Sequence, residues 1–111
     1  MKVVASEPIV VLMTAAGEQE ADRIAELLVN RRLAACVQIL PEIKSVYVWQ
    51  GEVQREKEVL LLAKTTRANF AALEREVRQI HSYETPEIIA LSIVGGSDPY
   101  LDWLTSSCDA S

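Results

Sequence analysis

Two extended runs meet at Gln50-Gly51, and their length limits what this chain can fold into more than any other feature. The first runs from Leu33 to Ile39, is interrupted at Pro41, and resumes from Ile43 to Trp49. The second, Glu52 to Thr65, is fourteen residues of strand pattern, polar at first and apolar from Val59 to Ala63. At about 3.3 Å per residue such a strand reaches roughly 45 Å, longer than the core of a domain this size is wide. The hairpin must project, and a projecting hairpin needs a neighbour. Pro41 cannot donate to a strand ladder, so it marks an edge or a bulge.

The remaining elements follow from periodicity. Ile9 to Met13 reads as a short strand buried on both faces, closed by Thr14-Ala15-Ala16-Gly17. From Glu18 the period changes to a helical one, with Ala21, Ile24, Ala25 and Leu28 on one face, acidic residues at the start and Arg31-Arg32 at the end. Thr65 or Thr66 is placed to cap a second helix whose apolar face is Phe70, Leu73, Val77 and Ile80 and which ends at His81. After Pro86, Glu87 to Val94 reads as a strand stopped by Gly95-Gly96. Asp98-Pro99 reads as an N-cap with proline in the first helical position, and Tyr100, Leu101, Trp103 and Leu104 supply the apolar side of a last helix. The order β-α-β-β-α-β-α predicts one α+β domain over residues 1–111, a ferredoxin-like βαββαβ sandwich with an additional C-terminal helix and a long projecting hairpin between its second and third strands.

Composition narrows the partners. Hydrophobic residues are 50% of the chain, while a domain this small encloses its interior behind roughly 6,000 Å² of surface, so some apolar side chains are expected to meet another subunit. A net charge of -5 argues against nucleic acid, whose binders concentrate lysine and arginine on one face. The apolar runs are too short to span a bilayer and the first residues lack the apolar core of a signal peptide, so a cytoplasmic protein without a membrane partner is expected. Cys36, in an apolar run, is expected as a small buried hydrophobe, and Cys108, in the polar tail, as a free thiol. No nucleophile-base pair and no phosphate-binding glycine motif is evident, so the chain is not expected to be an enzyme.

The blocks Arg32-Leu33-Ala34-Ala35-Cys36-Val37-Gln38-Ile39-Leu40-Pro41, Ser45-Val46-Tyr47-Val48-Trp49-Gln50-Gly51, Lys64-Thr65, His81-Ser82-Tyr83-Glu84-Thr85-Pro86-Glu87 and Tyr100-Leu101-Asp102-Trp103-Leu104 resemble, in their order, the CutA divalent-cation-tolerance family. The resemblance implies a homotrimer of ferredoxin-like subunits whose hairpins exchange contacts, a role in tolerance to divalent metals, and copper binding near Met13, Ile80 and His81. Where some members carry a cysteine and two adjacent histidines, this chain keeps only His81 as a strong copper ligand, with Met13 a soft ligand for Cu(I).

Two candidate sites result. The first is a weak site for copper or another divalent metal ion built on His81, Met13 and Glu84; the alternative role of His81 is to cap the helix C-terminus with its ring. The second is a ligand cleft between subunits formed by Trp49, Glu58, Lys64, Tyr83 and Glu87, which the resemblance aligns with recurring polar and aromatic positions of the family. Glu58, Leu60, Leu62 and Lys64 share one strand face, where the two charges also suit strand-end solvation or an intersubunit ion pair. Trp49 is otherwise expected to anchor an interface and Trp103 to pin the last helix. The cleft reading corresponds to a signalling module like the PII proteins that senses a small molecule. A third reading is a scaffold for an unidentified protein partner.

Overall fold

The computed structural model describes residues 6–108. Its elements are β1 (Pro8–Ala15), α1 (Glu18–Asn30), β2 (Cys36–Trp49), β3 (Glu52–Thr66), α2 (Phe70–Ile80), β4 (Ile88–Ser92) and α3 (Asp98–Ser107). The strands form one antiparallel sheet in the order β2-β3-β1-β4. This is the expected ferredoxin-like sandwich with its added helix. The β2-β3 hairpin stretches the molecule to 49 Å, against 26 and 22 Å across.

Strand alternation divides the sheet into two unlike faces. Ile9, Val11, Met13 and Ala15 of β1 and Val59, Leu61 and Ala63 of β3 are buried, against Ala21, Ile24 and Leu28 of α1 and Leu73 and Val77 of α2. The residues between them point the other way. Val10, Leu12, Leu60 and Leu62 are only partly buried, and Leu40, Ile89 and Leu91 are exposed. Strand β1, expected to be buried on both faces, is buried throughout on its helix side, while on the other face Pro8 and Thr14 are buried and Val10 and Leu12 only half-buried. Around Val10, Leu12, Leu40, Leu60, Leu62, Ile89 and Leu91 the opposite sheet face is apolar and incompletely covered in a single chain.

Several boundaries differ from expectation, each for a local reason. The backbone N–H groups of Leu33 and Ala34 both bond the Leu28 carbonyl, at 2.9 and 3.3 Å, so these residues close α1 and β2 starts only at Cys36. Arg32 carries this closure in the left-handed region, at φ 58°. Neither Thr65 nor Thr66 caps α2: both end β3, a 3₁₀ turn at Arg67–Asn69 leads into the helix, and the Thr65 hydroxyl donates instead to the Leu33 carbonyl at 2.6 Å. Strand β4 is shorter than predicted. At α3 the cap is Ser97 rather than Asp98, its hydroxyl accepting from the Tyr100 N–H at 3.4 Å.

The last helix is held differently as well. Leu104 is fully buried, while Trp103 is exposed and only tilts against Tyr100, with ring centroids 5.5 Å apart. Trp103 therefore does not pin α3 within the chain. Cys108 is folded back under the sheet end, its sulfur 3.9 Å from the Thr65 hydroxyl, and burial pushes its thiol above the ordinary value. Cys36 is the more accessible of the two, 3.7 Å from the Tyr100 hydroxyl. Both thiols are free.

Met13 lies wholly within the core, which makes it a packing residue. Met13→Ala is expected to cost about 2–5 kcal/mol and Met13→Leu less than about 1.5 kcal/mol, because the first leaves a cavity and the second conserves volume. Urea unfolding at one fixed protein concentration measures both; equal losses would sink the assignment.

Candidate functional site

One irregularity in β2 decides which side chains share a surface. Leu40 pairs with Leu60, but Ile43 pairs with Glu58, so the register slips by one residue across Pro41-Glu42. Because side chains alternate, a one-residue slip exchanges the faces of everything beyond it. Tyr47 and Trp49 thereby come onto the same face as Gln54, Glu56 and Glu58. Pro41 is tolerated there because β2 is an edge strand.

These residues form one wall of a cavity of 640 Å³, and the segment after α2 forms the other with Tyr83, Glu84 and Glu87. Two hydrogen bonds build it. The Tyr83 hydroxyl donates to Glu58 Oε2 at 2.7 Å, tying the segment to the hairpin, and the Tyr47 hydroxyl donates to Glu56 Oε1 at 2.6 Å. Burial, followed by the bond to Glu58, pushes the Tyr83 phenol well above its ordinary value; for Tyr47 the bond to Glu56 is the main cause and burial the second. The phenols thus stay protonated donors. Among the described residues, the four charged side chains lining the cavity are all glutamates.

A compact network sets the position of Tyr83. His81 ends α2, its backbone N–H bonded to Val77 O at 2.9 Å, but its ring does not cap the helix. The ring is buried: Nδ1 accepts the Tyr83 N–H at 3.0 Å, which leaves Nε2 to donate to the Thr14 carbonyl at 2.8 Å. Glu20, in the first turn of α1, receives the Ala16 N–H at 3.0 Å, the Ser82 N–H at 2.6 Å and the Ser82 hydroxyl at 3.1 Å. Burial alone would raise the Glu20 carboxyl; these bonds outweigh it and hold the group below its ordinary value. The segment after α2 is therefore fastened to β1 by His81 and to α1 by Glu20.

Of the cleft residues expected from the sequence, the fold gathers Trp49, Glu58, Tyr83 and Glu87 around one cavity. Lys64 is not among them within one chain. It lies six residues from Glu58 along β3, about 20 Å away, donating to Gln38 Oε1 at 2.6 Å with its ammonium 5.9 Å above the Tyr100 ring. The metal set is not assembled either: Met13 faces the core, His81 has both ring nitrogens engaged, and Glu84 lines the cavity. Among the described residues no three His, Cys, Asp or Glu side chains converge as a set for a metal ion. Sequence reasoning missed Thr14, Tyr47, Gln54, Glu56 and Thr85 of the cavity and the fastening role of Glu20 and Ser82. Alternation along β3 carried the signal for Gln54 and Glu56; for Glu20, 62 residues from Ser82 in sequence, no local signal exists.

A family model described as CutA1 divalent ion tolerance protein matches residues 9–107. The chain is similar to the Divalent-cation tolerance protein CutA of Thermus thermophilus, 52% identical over 95 residues that make up 86% of this chain and 92% of that protein. It is similar to the chloroplastic Protein CutA of Arabidopsis thaliana, 46% identical over 99 residues, 89% of this chain and 54% of that longer protein. Its fold superposes on CutA1 of Oryza sativa with a TM-score of 0.92 at 41% identity, covering 98% of this chain and 100% of that one.

The Glu20 network makes a prediction for acid stability. Its depressed carboxyl contributes stability that is complete above the unfolded glutamate value near 4.3 and lost as pH falls through the lower folded value. Glu20→Gln is expected to lose about 1–3 kcal/mol at pH 7, through donors left without their charged acceptor, and to show a flatter decline of stability between about pH 5 and pH 3. Unfolding curves at a series of pH values test this, and parallel slopes in the two proteins would contradict it.

Proposed function

The chain belongs to the CutA1 divalent ion tolerance family, and from that premise we propose that it works as a cytoplasmic homotrimer that binds divalent cations weakly through carboxylates rather than through a histidine-methionine centre. The observation that carries this reading is the cavity at the hairpin, in which, among the described residues, four glutamates meet no lysine, arginine or histidine. Because these glutamates do not converge within one chain, copper or another divalent ion would take only one or two oxygen donors from Glu56, Glu58, Glu84 or Glu87, which is why the binding is weak. Neighbouring copies would complete the donor set.

The incompletely covered sheet face supports assembly. Leu40, Ile89 and Leu91 are exposed on an apolar surface, and the outer edge of β2 has no strand partner among the described residues. Packing copies against this face and edge removes apolar area from water at about 25 cal/mol per Å² and blocks uncontrolled strand pairing. Trp49, 59% exposed at the hairpin tip, is then an anchor for a neighbouring copy. Two free thiols suit a reducing, cytoplasmic setting. No catalytic role is assigned, since both ring nitrogens of the single histidine are committed to backbone groups.

Light scattering is expected to give three times the 12.3 kDa chain mass, and Leu91→Lys to shift that mass toward one chain, because it would set charges into the covered face. Titration calorimetry with Cu(II) should show saturable, weak binding that Glu58→Gln and Glu84→Gln reduce. A copper isotherm unchanged in both variants would refute the carboxylate site.

A further inference from the structure

The cavity has features that a bare metal ion does not use. Three of its walls are aromatic: Trp49 and Tyr47 stand on the hairpin and Tyr83 faces them from the segment after α2. Its carboxylates do not converge as a metal-ligand set, and Glu84 and Glu87 make no hydrogen bond or ion pair with described residues. Glu56 and Glu58 each have one carboxylate oxygen bonded by a phenol, so the second oxygen of each is free of that bond.

Thr14 adds an independent polar group. It is only 6% exposed, lines this cavity, and lies on the sheet face opposite Met13 and Ala15, in register with Leu60 and therefore on the same face as Glu58. Its carbonyl is taken by His81, while its hydroxyl has no partner among the described residues. The hydroxyl is not sealed from solvent, so it stands open at the cavity surface and is available to a ligand.

From the aromatic walls, the spread carboxylates and this hydroxyl, we infer that the cavity binds an organic ammonium ion carrying an apolar or aromatic body. The aromatic rings attract a cation through their faces and cover its hydrocarbon part. The glutamates neutralise the ammonium and accept its N–H groups, and the Thr14 hydroxyl accepts another. A volume of 640 Å³ lies in the range that small organic ligands fill. The inference rests on the reading of this cavity as a cation site and names the class of cation.

Calorimetric titration of phenethylamine into the intact assembly tests it, with 2-phenylethanol as the neutral isostere and Cu(II) as a separate titrant. Phenethylamine is expected to bind saturably and the alcohol at least about tenfold more weakly, since the alcohol lacks the charge that rings and carboxylates recognise. Glu58→Gln and Glu87→Gln should each weaken the amine about fivefold or more, Thr14→Val about threefold, and added salt should weaken it further. Variants count only where circular dichroism and assembly mass match the parent. Amine and alcohol binding alike, or amine binding unaltered in all three variants, overturns the inference. Copper binding without amine binding overturns it and leaves the metal reading standing. Binding of neither removes the cation site altogether, as would happen if a neighbouring copy's own side chain filled the cavity.

Discussion

A single extra residue in β2 organises the outer half of this molecule. Without the slip between Leu40 and Ile43, alternation would carry Tyr47 and Trp49 to the face opposite Glu56 and Glu58, and the hairpin would present aromatics on one side and carboxylates on the other. With it, both kinds of side chain meet on one surface. The slip costs a break in the ladder, and the sheet order makes that break tolerable: β2 is at an edge, so Pro41 interrupts pairing on one side only. The same edge position leaves the outer side of β2 without a strand partner among the described residues, and in the proposed assembly a neighbouring copy would cover it.

The second constraint lies at the opposite wall. A segment of seven residues between α2 and β4 has few apolar anchors of its own, yet it must hold Tyr83 against Glu58. Backbone groups accomplish this. His81 bridges the Thr14 carbonyl and the Tyr83 N–H, and Glu20 collects N–H groups from both Ala16 and Ser82. A buried ring with an acceptor on one nitrogen and a donor on the other has a fixed tautomer, and its exchange for a metal bond would release two backbone groups at once. The only histidine is thus better placed to shape the site than to be the site. That explains how a chain lacking a histidine-rich ligand set can keep the same framework.

The architecture was legible in the sequence because its signals are local. The apolar run from Val59 to Ala63, the helical spacing of Leu73 and Val77, and the punctuation at Gln50-Gly51 and Pro86 each report on a few neighbouring residues. The cavity was partly legible. Trp49, Glu58, Lys64, Tyr83 and Glu87 stood out because the family resemblance aligns them with recurring polar and aromatic positions; within one chain Lys64 falls elsewhere, since the strand parity it shares with Glu58 fixes a face but not a position along it. Met13 shows the opposite limit: its chemistry as a soft ligand is real, but strand parity sends it to the helix side with Val11 and Ala15. What the sequence concealed were contacts between distant segments, such as Glu20 with Ser82 and Thr65 with Leu33.

The charge of the cavity follows from the same geometry. Carboxylates brought together without cations repel one another, and at separations of several ångströms that repulsion is modest in water but grows as water is excluded. Two phenols reduce it here, each donating to one glutamate oxygen in place of a solvent molecule. Assembly around the apolar sheet face would dry the cavity further, which strengthens both the repulsion and the pull on any cation that enters. On the proposed reading, cation affinity would be coupled to oligomerisation: a neighbouring copy packed against the hairpin would lower the dielectric around Glu56 and Glu58, and a ligand that neutralises them would in turn favour the assembled state.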